Sequence, residues 1–264
     1  MYPSSGQDDV DKDSAVPALR ITGLRKSFGA KAAVDDVSLR VPAGSFYGLV
    51  GPNGAGKTTM LSMAVGLLRP DAGTVELLGT DVWADPVQAK QLLGVLPDGL
   101  ALPERLTGPE LLAFAGSIRG MAPDVVATRS AELLSVLELD GDTGTLVIDY
   151  STGMRKKIGL AVALLHRPRL LVLDEPLEAV DPVSAATIKS ILRAFVDAGG
   201  AVVFSSHVMA VVEQLCDHVA VLAGGRVLAE GPMDEVGAGG LEQRFMSLVG
   251  GEDNGLEGLR WLAS

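Results

Sequence analysis

The sequence predicts an α/β fold with a largely parallel central sheet. Short apolar strands alternate with helical segments along the chain, and the strands read as continuous apolar runs. Such runs are typical of strands covered on both faces, as in a parallel sheet flanked by helices. A glycine-rich loop also lies directly between an apolar strand and a helical segment. The predicted buried strands are residues 46–50, 170–173, 201–205 and 219–222.

The first part of the chain contains shorter strands. Residues 18–22, 34–41 and 75–78 alternate or cluster their apolar side chains. Pro/Gly segments at residues 42–44 and 70–73 mark the turns between these elements. This pattern predicts a small group of strands ahead of and beside the main sheet.

The middle third of the chain is predicted to be helical. Residues 107–118 begin with a capping threonine, residues 123–139 begin with proline, and residues 151–165 form a third helical segment. Another helix is expected after the glycine-rich loop, over about residues 57–68. Because residues 97–169 carry no convincing strand pattern, we interpret them as a helical insertion.

Both ends of the chain are predicted to lie outside the core. Residues 1–17 include four aspartates and lack the features of a signal peptide, which predicts a disordered acidic tail. Residues 236–264 predict a glycine-rich linker and a short helical tail. The longest uncharged apolar stretch, residues 58–68, is shorter than the ~18 residues of a membrane-spanning helix, so no span is expected.

Composition narrows the class of protein. With 264 residues, 47% of them hydrophobic, the chain can bury a large core, which excludes a disordered or fibrous protein. The net charge of −11 and the 4% aromatic content argue against a nucleic-acid partner, which would require clustered lysine and arginine or stacking rings. The single cysteine, Cys216, cannot form an intramolecular disulfide and fits a reducing compartment.

The strongest chemical signal is the loop at residues 51–58. Its sequence, GPNGAGKT, fits the pattern G-x-x-x-x-G-K-[ST] between a strand and a helix. Backbone N–H groups and the helix N-terminus attract phosphate, the lysine reaches the terminal phosphates, and the threonine offers a hydroxyl to Mg²⁺. A glycine-rich turn that happens to contain a lysine is the alternative, and the glycine spacing excludes the pattern of nicotinamide dehydrogenases. The predicted nucleotide-binding residues are Gly51, Asn53, Gly54, Gly56, Lys57, Thr58 and Thr59.

Two carboxylates follow the predicted strand at residues 170–173. Asp174 and Glu175 emerge at its carboxyl end, where ligands bind in open α/β sheets. We predict that Asp174 holds Mg²⁺, directly or through water, and that Glu175 orients or deprotonates an attacking water. An acidic pair after a strand is by itself more often a solvated turn, but the phosphate loop in the same chain favours the functional interpretation.

A third segment, residues 150–157, opens a predicted helix before the acidic strand. Its sequence, YSTGMRKK, resembles the L-S-G-G-Q signature of ATP-binding cassette (ABC) ATPases, with Ser151 and Gly153 at matching positions. An anion site here cannot reach the phosphate loop of its own chain, so it is expected to serve the ATP of a second subunit. An ordinary helix cap is the alternative. The positions that depart from the family pattern are Tyr150, Thr152 and Met154.

This resemblance covers residues 19–235 and implies a fold. The expected domain, at residues 18–235, is a P-loop NTPase of the ABC ATPase fold, with a small antiparallel β subdomain and a helical subdomain at about residues 97–167. The form of the signature is similar to that of the branch that exports drugs, antibiotics and lipids.

The resemblance also implies roles for three further residues. Asp181 matches an aspartate at the subunit interface, His207 matches the histidine that contacts the γ-phosphate, and Phe28 matches the aromatic residue that stacks on adenine. An ordinary surface or packed histidine is the alternative for His207, and a half-buried core ring is the alternative for Phe28. His166 and His218 have no such context and are predicted to be structural.

One position departs from the family in a way that affects the metal site. Asp98 follows the strand at residues 92–97, where the family has glutamine. An ionised aspartate is shorter than glutamine and only accepts hydrogen bonds. We predict that Asp98 joins Thr58 and Asp174 as a Mg²⁺ residue, with an ordinary turn residue as the alternative.

The function implied is hydrolysis of Mg²⁺-bound ATP by a nucleotide-binding subunit of an ABC exporter. A second cassette, either another copy or a related chain, would complete two composite sites in a head-to-tail dimer. The subunit would bind a separate integral-membrane permease on the cytoplasmic face of the cell membrane, through its helical subdomain and the loop at Asp98. Alternatives are a soluble ABC ATPase acting as a mechanical switch in translation or DNA repair, and a regulator without turnover. Co-purification with a membrane protein or with ribosomes distinguishes the first two classes.

Overall fold

The computed structural model of the protein describes residues 16–99 and 101–249. Within them the chain forms a six-stranded sheet and a four-stranded sheet, with helices packed against both. The predicted α/β class is therefore confirmed. The strands are β1 Leu19–Phe28, β2 Lys31–Val41, β3 Phe46–Val50, β4 Ala72–Leu77, β5 Thr80–Asp81, β6 Leu93–Leu96, β7 Leu170–Asp174, β8 Ala201–Ser206, β9 His218–Ala223 and β10 Arg226–Pro232.

Helices connect most of these strands. Two further single turns of 3-10 helix lie at Asp140–Asp142 and Val147–Asp149. No helix in residues 16–99 and 101–249 is long and apolar enough to cross a lipid bilayer. The helices are α1 Lys57–Ala64, α2 Pro86–Leu92, α3 Gly108–Ile118, α4 Pro123–Val136, α5 Thr152–Leu164, α6 Pro182–Asp197, α7 Met209–Leu215, α8 Met233–Val236 and α9 Leu241–Val249.

The six-stranded sheet has the order β10-β9-β3-β8-β7-β6. All neighbouring strands in it are parallel except β10, which pairs antiparallel with β9 at the edge. The register aligns the strand ends: Val50 lies opposite Ser206, and Asp174 lies opposite Ser205. The segments that follow β3, β7 and β8 therefore leave the sheet at one edge.

Alternate side chains of this sheet enter two separate cores. On β7, Leu171 and Leu173 pack with α3, α4 and α5 on one face of the sheet. Leu170 and Val172 pack with α1 and the small sheet on the other face. Because both faces are covered, the strands are apolar throughout, which explains why the sequence showed no alternation there.

The four-stranded sheet is antiparallel, in the order β2-β1-β4-β5. β1 is longer than the predicted strand at residues 18–22 and continues to Phe28. Gly23 has a φ of 60°, and the pairing of β1 with β2 shifts register after Ile21. The alternation of apolar side chains therefore stops near Thr22, although the strand continues. The sequence pattern therefore predicted only the first half of β1.

Local signals explain where the predicted helices begin. α3 starts with a capping box, in which Thr107 and Glu110 each hydrogen-bond the other's backbone N–H. α4 has proline in its first turn, and Ser151 caps α5 by accepting from the Met154 N–H.

Two predicted helix ends were wrong. α1 ends at Ala64 rather than near residue 68, because Gly66 turns the chain with a φ of 76°. α4 ends at Val136 rather than at residue 139, because Glu138 adopts a φ of 56°. Tertiary packing favours these turns, and the apolar pattern continues past both of them.

The ends of the chain are described only in part. Residues 1–15 of the predicted acidic tail and residues 250–264 of the predicted helical tail lie outside the described residues. Within the predicted linker, α9 begins at Leu241, which is fully buried, and its backbone N–H donates to Glu213 on α7. The glycine-rich linker is therefore short and leads into a packed helix.

Gly94 on β6 tests how closely α5 packs on the sheet. A Cβ at Gly94 would lie 2.3 Å from the Ala163 carbonyl oxygen and 2.7 Å from Leu171 Cδ2. Gly94→Ala is expected to lower the free energy of unfolding by about 1–3 kcal/mol, since the backbone of α5 must move. Chemical denaturation measures the change. Gly141→Ala is the control because nothing lies within 4 Å of its Cβ position, and equal stability of the two variants would contradict this packing.

Candidate functional site

A pocket of about 580 Å³ lies at the edge where β3, β7 and β8 end. It contains most of the residues that the sequence analysis predicted to bind nucleotide, to bind metal or to act in catalysis. Gly51, Ser151, Gly153 and Asp181 are nominated residues that do not line it. Four lining residues were not nominated: Lys31, Ala33, Ala55 and Glu178. The nominated residues that line it are Phe28, Asn53, Gly54, Gly56, Lys57, Thr58, Thr59, Asp98, Asp174, Glu175 and His207.

The glycine-rich loop between β3 and α1 forms one wall of this pocket. Gly56 has a φ of 105°, and a Cβ there would lie 2.4 Å from the Ala33 carbonyl oxygen, so only glycine fits. Lys57 is buried, and its Nζ donates to the carbonyl oxygen of Gly51 at 2.7 Å. Burial lowers the pKa of Lys57, and the carboxylates of Glu175 and Asp174 oppose that shift. The loop therefore holds an ammonium group beside two carboxylates.

Ser205 on the neighbouring strand holds the Asp174 carboxylate and the Glu175 backbone at the end of β7. The Ser205 hydroxyl donates to Asp174 Oδ1, and its oxygen accepts the Glu175 backbone N–H at 3.0 Å. Both Asp174 and Ser205 are buried. Sequence reasoning missed Ser205, because its role depends on the pairing of β7 with β8.

Glu175 lies against His207 across the pocket. Its Oε2 is 3.0 Å from His207 Nδ1. Glu175 has a φ of 48°, which is uncommon for a residue with a side chain. The sequence predicted a separate role for each of these residues, and the structure places them in direct contact.

Thr58, Asp98 and Asp174 line a small cavity of about 60 Å³ beneath the loop. Hydroxyl and carboxylate oxygens are ligands that Mg²⁺ prefers, so the residues present fit that ion. In the part of the chain that the structure describes, no group of three or more His, Cys, Asp or Glu side chains could hold a metal ion by itself. An ion here would need Thr58 and ligand oxygens to complete its coordination.

Asp98 also shows the local bonding of a turn residue. Its Oδ1 accepts the Gly99 backbone N–H at 2.9 Å, and its side chain is half exposed. Lys156 on α5 approaches it, with 3.9 Å between Nζ and Oδ1. Asp98 thus faces the pocket and a lysine while shaping its own turn.

Phe28 lies at the end of β1 and lines the pocket with 54% of its surface exposed. The ring is about half exposed and belongs to neither of the two core clusters. Lys26 Nζ lies 5.9 Å from the ring centroid. The ring offers an open face for stacking.

Ser151, Gly153 and Asp181 form a second group. Asp181 caps α6 by accepting from the Val183 and Ser184 N–H groups, and a Cβ on Gly153 would lie 3.8 Å from Asp181 Oδ2. The start of α5 and the start of α6 therefore meet at one place outside the pocket.

The two histidines predicted to be structural lie elsewhere. His166 Nε2 is 3.0 Å from the Leu93 carbonyl oxygen, and burial lowers the pKa of His166 to about 4. The His218 ring stacks on Tyr47 with 6.4 Å between centroids. Neither residue lines the pocket.

A loop that presents backbone N–H groups and a buried lysine, together with acids from a parallel strand two places along the sheet, defines a P-loop nucleoside-triphosphate-binding protein. Comparison with known sequences narrows this class. The sequence model described as ABC transporter matches residues 34–178.

Known proteins similar to this chain agree with that match. The daunorubicin/doxorubicin resistance ATP-binding protein DrrA of Streptomyces peucetius is 39% identical over 219 residues, covering 83% of this chain and 66% of that protein. The Nod factor export ATP-binding protein I of Rhizobium etli is 34% identical over 257 residues, covering 97% of this chain and 81% of that protein. A solved structure of an ATP-binding subunit of an ABC transporter superimposes with a TM-score of 0.82 at 26% identity, covering 88% of this chain and 99% of that one.

The chain belongs to the ABC transporter family. The resemblance that the signature segment indicated is thereby confirmed, and with it the ABC ATPase fold.

Lys57→Ala is expected to weaken ATP binding by about 10- to 100-fold. A charge-assisted hydrogen bond to phosphate contributes roughly 1.5–3 kcal/mol, and alanine removes the ammonium group. Titration with a fluorescent ATP analogue measures the dissociation constant. Lys189→Ala on α6, whose lysine bonds Gln214 away from the pocket, should bind like the unaltered protein. Unchanged affinity in Lys57→Ala would mean that the loop does not hold phosphate.

Proposed function

We propose that this chain is the ATP-hydrolysing subunit of an ABC exporter and drives transport through a separate membrane permease. The observation that carries the proposal is the single pocket that unites the loop lysine Lys57 with the paired Glu175 and His207. The similar proteins described above, which are named for drug resistance and for Nod factor export, support export as the direction of transport.

Different walls of the pocket bind different parts of ATP. The loop at residues 51–58 and Lys57 bind the phosphates, and Phe28 stacks on the adenine ring. Thr58, Asp174 and Asp98 would hold Mg²⁺, which would neutralise phosphate charge. The carboxylates that line the pocket favour the metal complex of ATP over free ATP, since phosphate oxygens and carboxylates repel each other.

Hydrolysis needs a base beside the γ-phosphate. Glu175 takes a proton from water as the water oxygen bonds to the γ-phosphorus and the bond to ADP breaks. With both ring nitrogens protonated, His207 donates Nδ1–H to the Glu175 carboxylate and presents Nε2–H to the γ-phosphate. The two side chains thus act together on the same phosphate group.

Glu175→Gln should slow ATP hydrolysis by about 10²–10⁴-fold, because the amide cannot accept the proton from water. ATP binding should be preserved, and the variant should elute as a dimer with ATP on sizing chromatography. Phosphate release measures turnover. Glu132→Gln, which alters an exposed residue on α4, is the control. Normal turnover in Glu175→Gln would remove Glu175 from the mechanism.

A second cassette, either another copy of this chain or a related chain, completes the site. Ser151, Gly153 and Asp181 lie together outside the pocket of their own chain. Ser151 and Gly153 lie where α5 begins, and a helix N-terminus attracts anions. In a head-to-tail dimer this surface faces the ATP that the other subunit binds.

Ser151→Arg should therefore impair formation of the dimer and leave ATP binding by the single subunit intact. The isolated monomer should bind ATP with unchanged affinity, whereas ATP-driven dimerisation and hydrolysis fail, because the long cation obstructs the contact. Calorimetry measures binding and light scattering measures dimerisation. Ser190→Arg on the exposed side of α6 should preserve both. Loss of binding by a folded Ser151→Arg monomer would instead place Ser151 in the site of its own chain.

The permease docks in a groove of about 700 Å³ between α2, the end of β6 and the end of α3. Large apolar side chains at its rim, Leu67, Val87 and Ile118, are each more than two-thirds exposed. Exposed apolar residues around a groove mark an interaction site. Pro97 lines the groove next to Asp98, which lines the ATP pocket, so one loop touches both sites. The chain thus functions as a peripheral subunit on the cytoplasmic face of the membrane.

A further inference from the structure

Lys156 on α5 connects three parts of the site. Its side chain is 13% exposed, and its Nζ donates to the Glu175 backbone carbonyl oxygen at 2.9 Å. The same Nζ lies 3.9 Å from Asp98 Oδ1. One ammonium group therefore joins the helix that begins with Ser151, the acidic end of β7 and the loop after β6.

The Glu175 backbone needs such support. A residue with a side chain rarely adopts its φ of 48°, and surrounding contacts must maintain that conformation. The Ser205 hydroxyl holds the Glu175 N–H. Lys156 donates to the Glu175 carbonyl oxygen at 2.9 Å, and the Glu178 N–H donates to the same oxygen at 3.2 Å. Rotation of either peptide group would move the Glu175 carboxylate away from His207.

Asp98, in the loop after β6, is the charge partner of Lys156. A largely buried ammonium needs compensation, and Asp98 supplies a carboxylate across 3.9 Å. The aspartate that departs from the family's glutamine is thus the charge partner of this lysine. The next residue, Lys157, bonds Glu138 instead, at 3.3 Å.

We propose that Lys156 is a positioning residue that holds Glu175 in its reactive conformation, with Asp98 as its charge partner. The proposal rests on the proposed function, because it requires Glu175 to act on water. Lys156 does not line the pocket and acts through the Glu175 peptide. It couples α5, whose start faces the second subunit, to the base that takes a proton from the attacking water.

The first test compares two neighbouring lysines. Lys156→Met keeps most of the unbranched side chain and removes the donor, so kcat should fall by about 10- to 100-fold as Glu175 moves. The KM for ATP should stay within about threefold, because the phosphate loop is untouched. Lys157→Met removes an equally buried ion pair on the same helix and should keep kcat within about threefold. An equal loss of kcat in both variants, or a normal kcat in Lys156→Met, would overturn the proposal.

Two further substitutions at Lys156 distinguish loss of the hydrogen bond from misfolding of the protein. Lys156→Arg keeps a charged donor and should recover most of the kcat. If melting curves show that Lys156→Met is unfolded, Lys156→Gln takes its place, since its amide is one bond shorter and falls short of the Glu175 carbonyl. A normal kcat in Lys156→Gln then contradicts the proposal.

The role of Asp98 is tested by a double-mutant cycle at saturating Mg²⁺. Asp98→Asn should lower kcat more in the unaltered protein than in Lys156→Met, because a loss at the Mg²⁺ site is common to both backgrounds and only the loss through Lys156 is absent from the second. An undiminished effect in the second background would remove Asp98 as the partner of Lys156. The variant Glu175→Gln distinguishes failure of the proposed function from failure of the positioning role. Normal turnover in Glu175→Gln refutes the proposed function. Slow turnover in Glu175→Gln together with normal turnover in Lys156→Met refutes only the positioning role.

Discussion

The parallel register of β3, β8 and β7 is the constraint on which the site depends. Val50 lies opposite Ser206 and Asp174 opposite Ser205, so three chain segments leave the sheet at the same level. The phosphate loop, the two acids and His207 follow those three strand ends. A shift of one residue in any pairing would reverse which side chains face each core and would separate these groups. Burial of both sheet faces makes such a shift costly and so fixes the chemistry.

Charge in the pocket is balanced over short distances. The ammonium of Lys57 is buried beside the carboxylates of Asp174 and Glu175, which favour its charged form while burial disfavours it. Asp98 and Glu178 add further negative charge to the lining, and Lys31 adds positive charge. A site with this balance suits a phosphate chain that arrives with a divalent cation, since the cation offsets the repulsion between phosphates and acids.

Helix α5 connects the surface at Ser151, which is outside the pocket, with Glu175 inside it. Its N-terminal end carries Ser151 beside the Asp181 turn, outside the pocket, and its next turn carries Lys156, which holds the Glu175 carbonyl. Movement of this helix would therefore be transmitted to Glu175 through a single hydrogen bond. Because β6 packs against α5 at Gly94 and leads to the loop at Asp98, the groove proposed for the permease is mechanically connected to the same helix.

The sequence by itself determined the parallel sheet, the phosphate loop, the acids after β7 and the family, because these are local patterns: apolar runs, glycine spacing and caps such as Thr107. It could not show where β1 or α4 ends, since a bulge after Ile21 and a left-handed Glu138 are favoured by packing rather than by composition. Nor could it reveal the roles of Ser205 and Lys156, whose hydrogen-bond partners at the end of β7 lie 19 to 31 residues away along the chain. Only the tertiary structure decided those contacts, because hydrogen bonds between strands and helices depend on how the elements pack together.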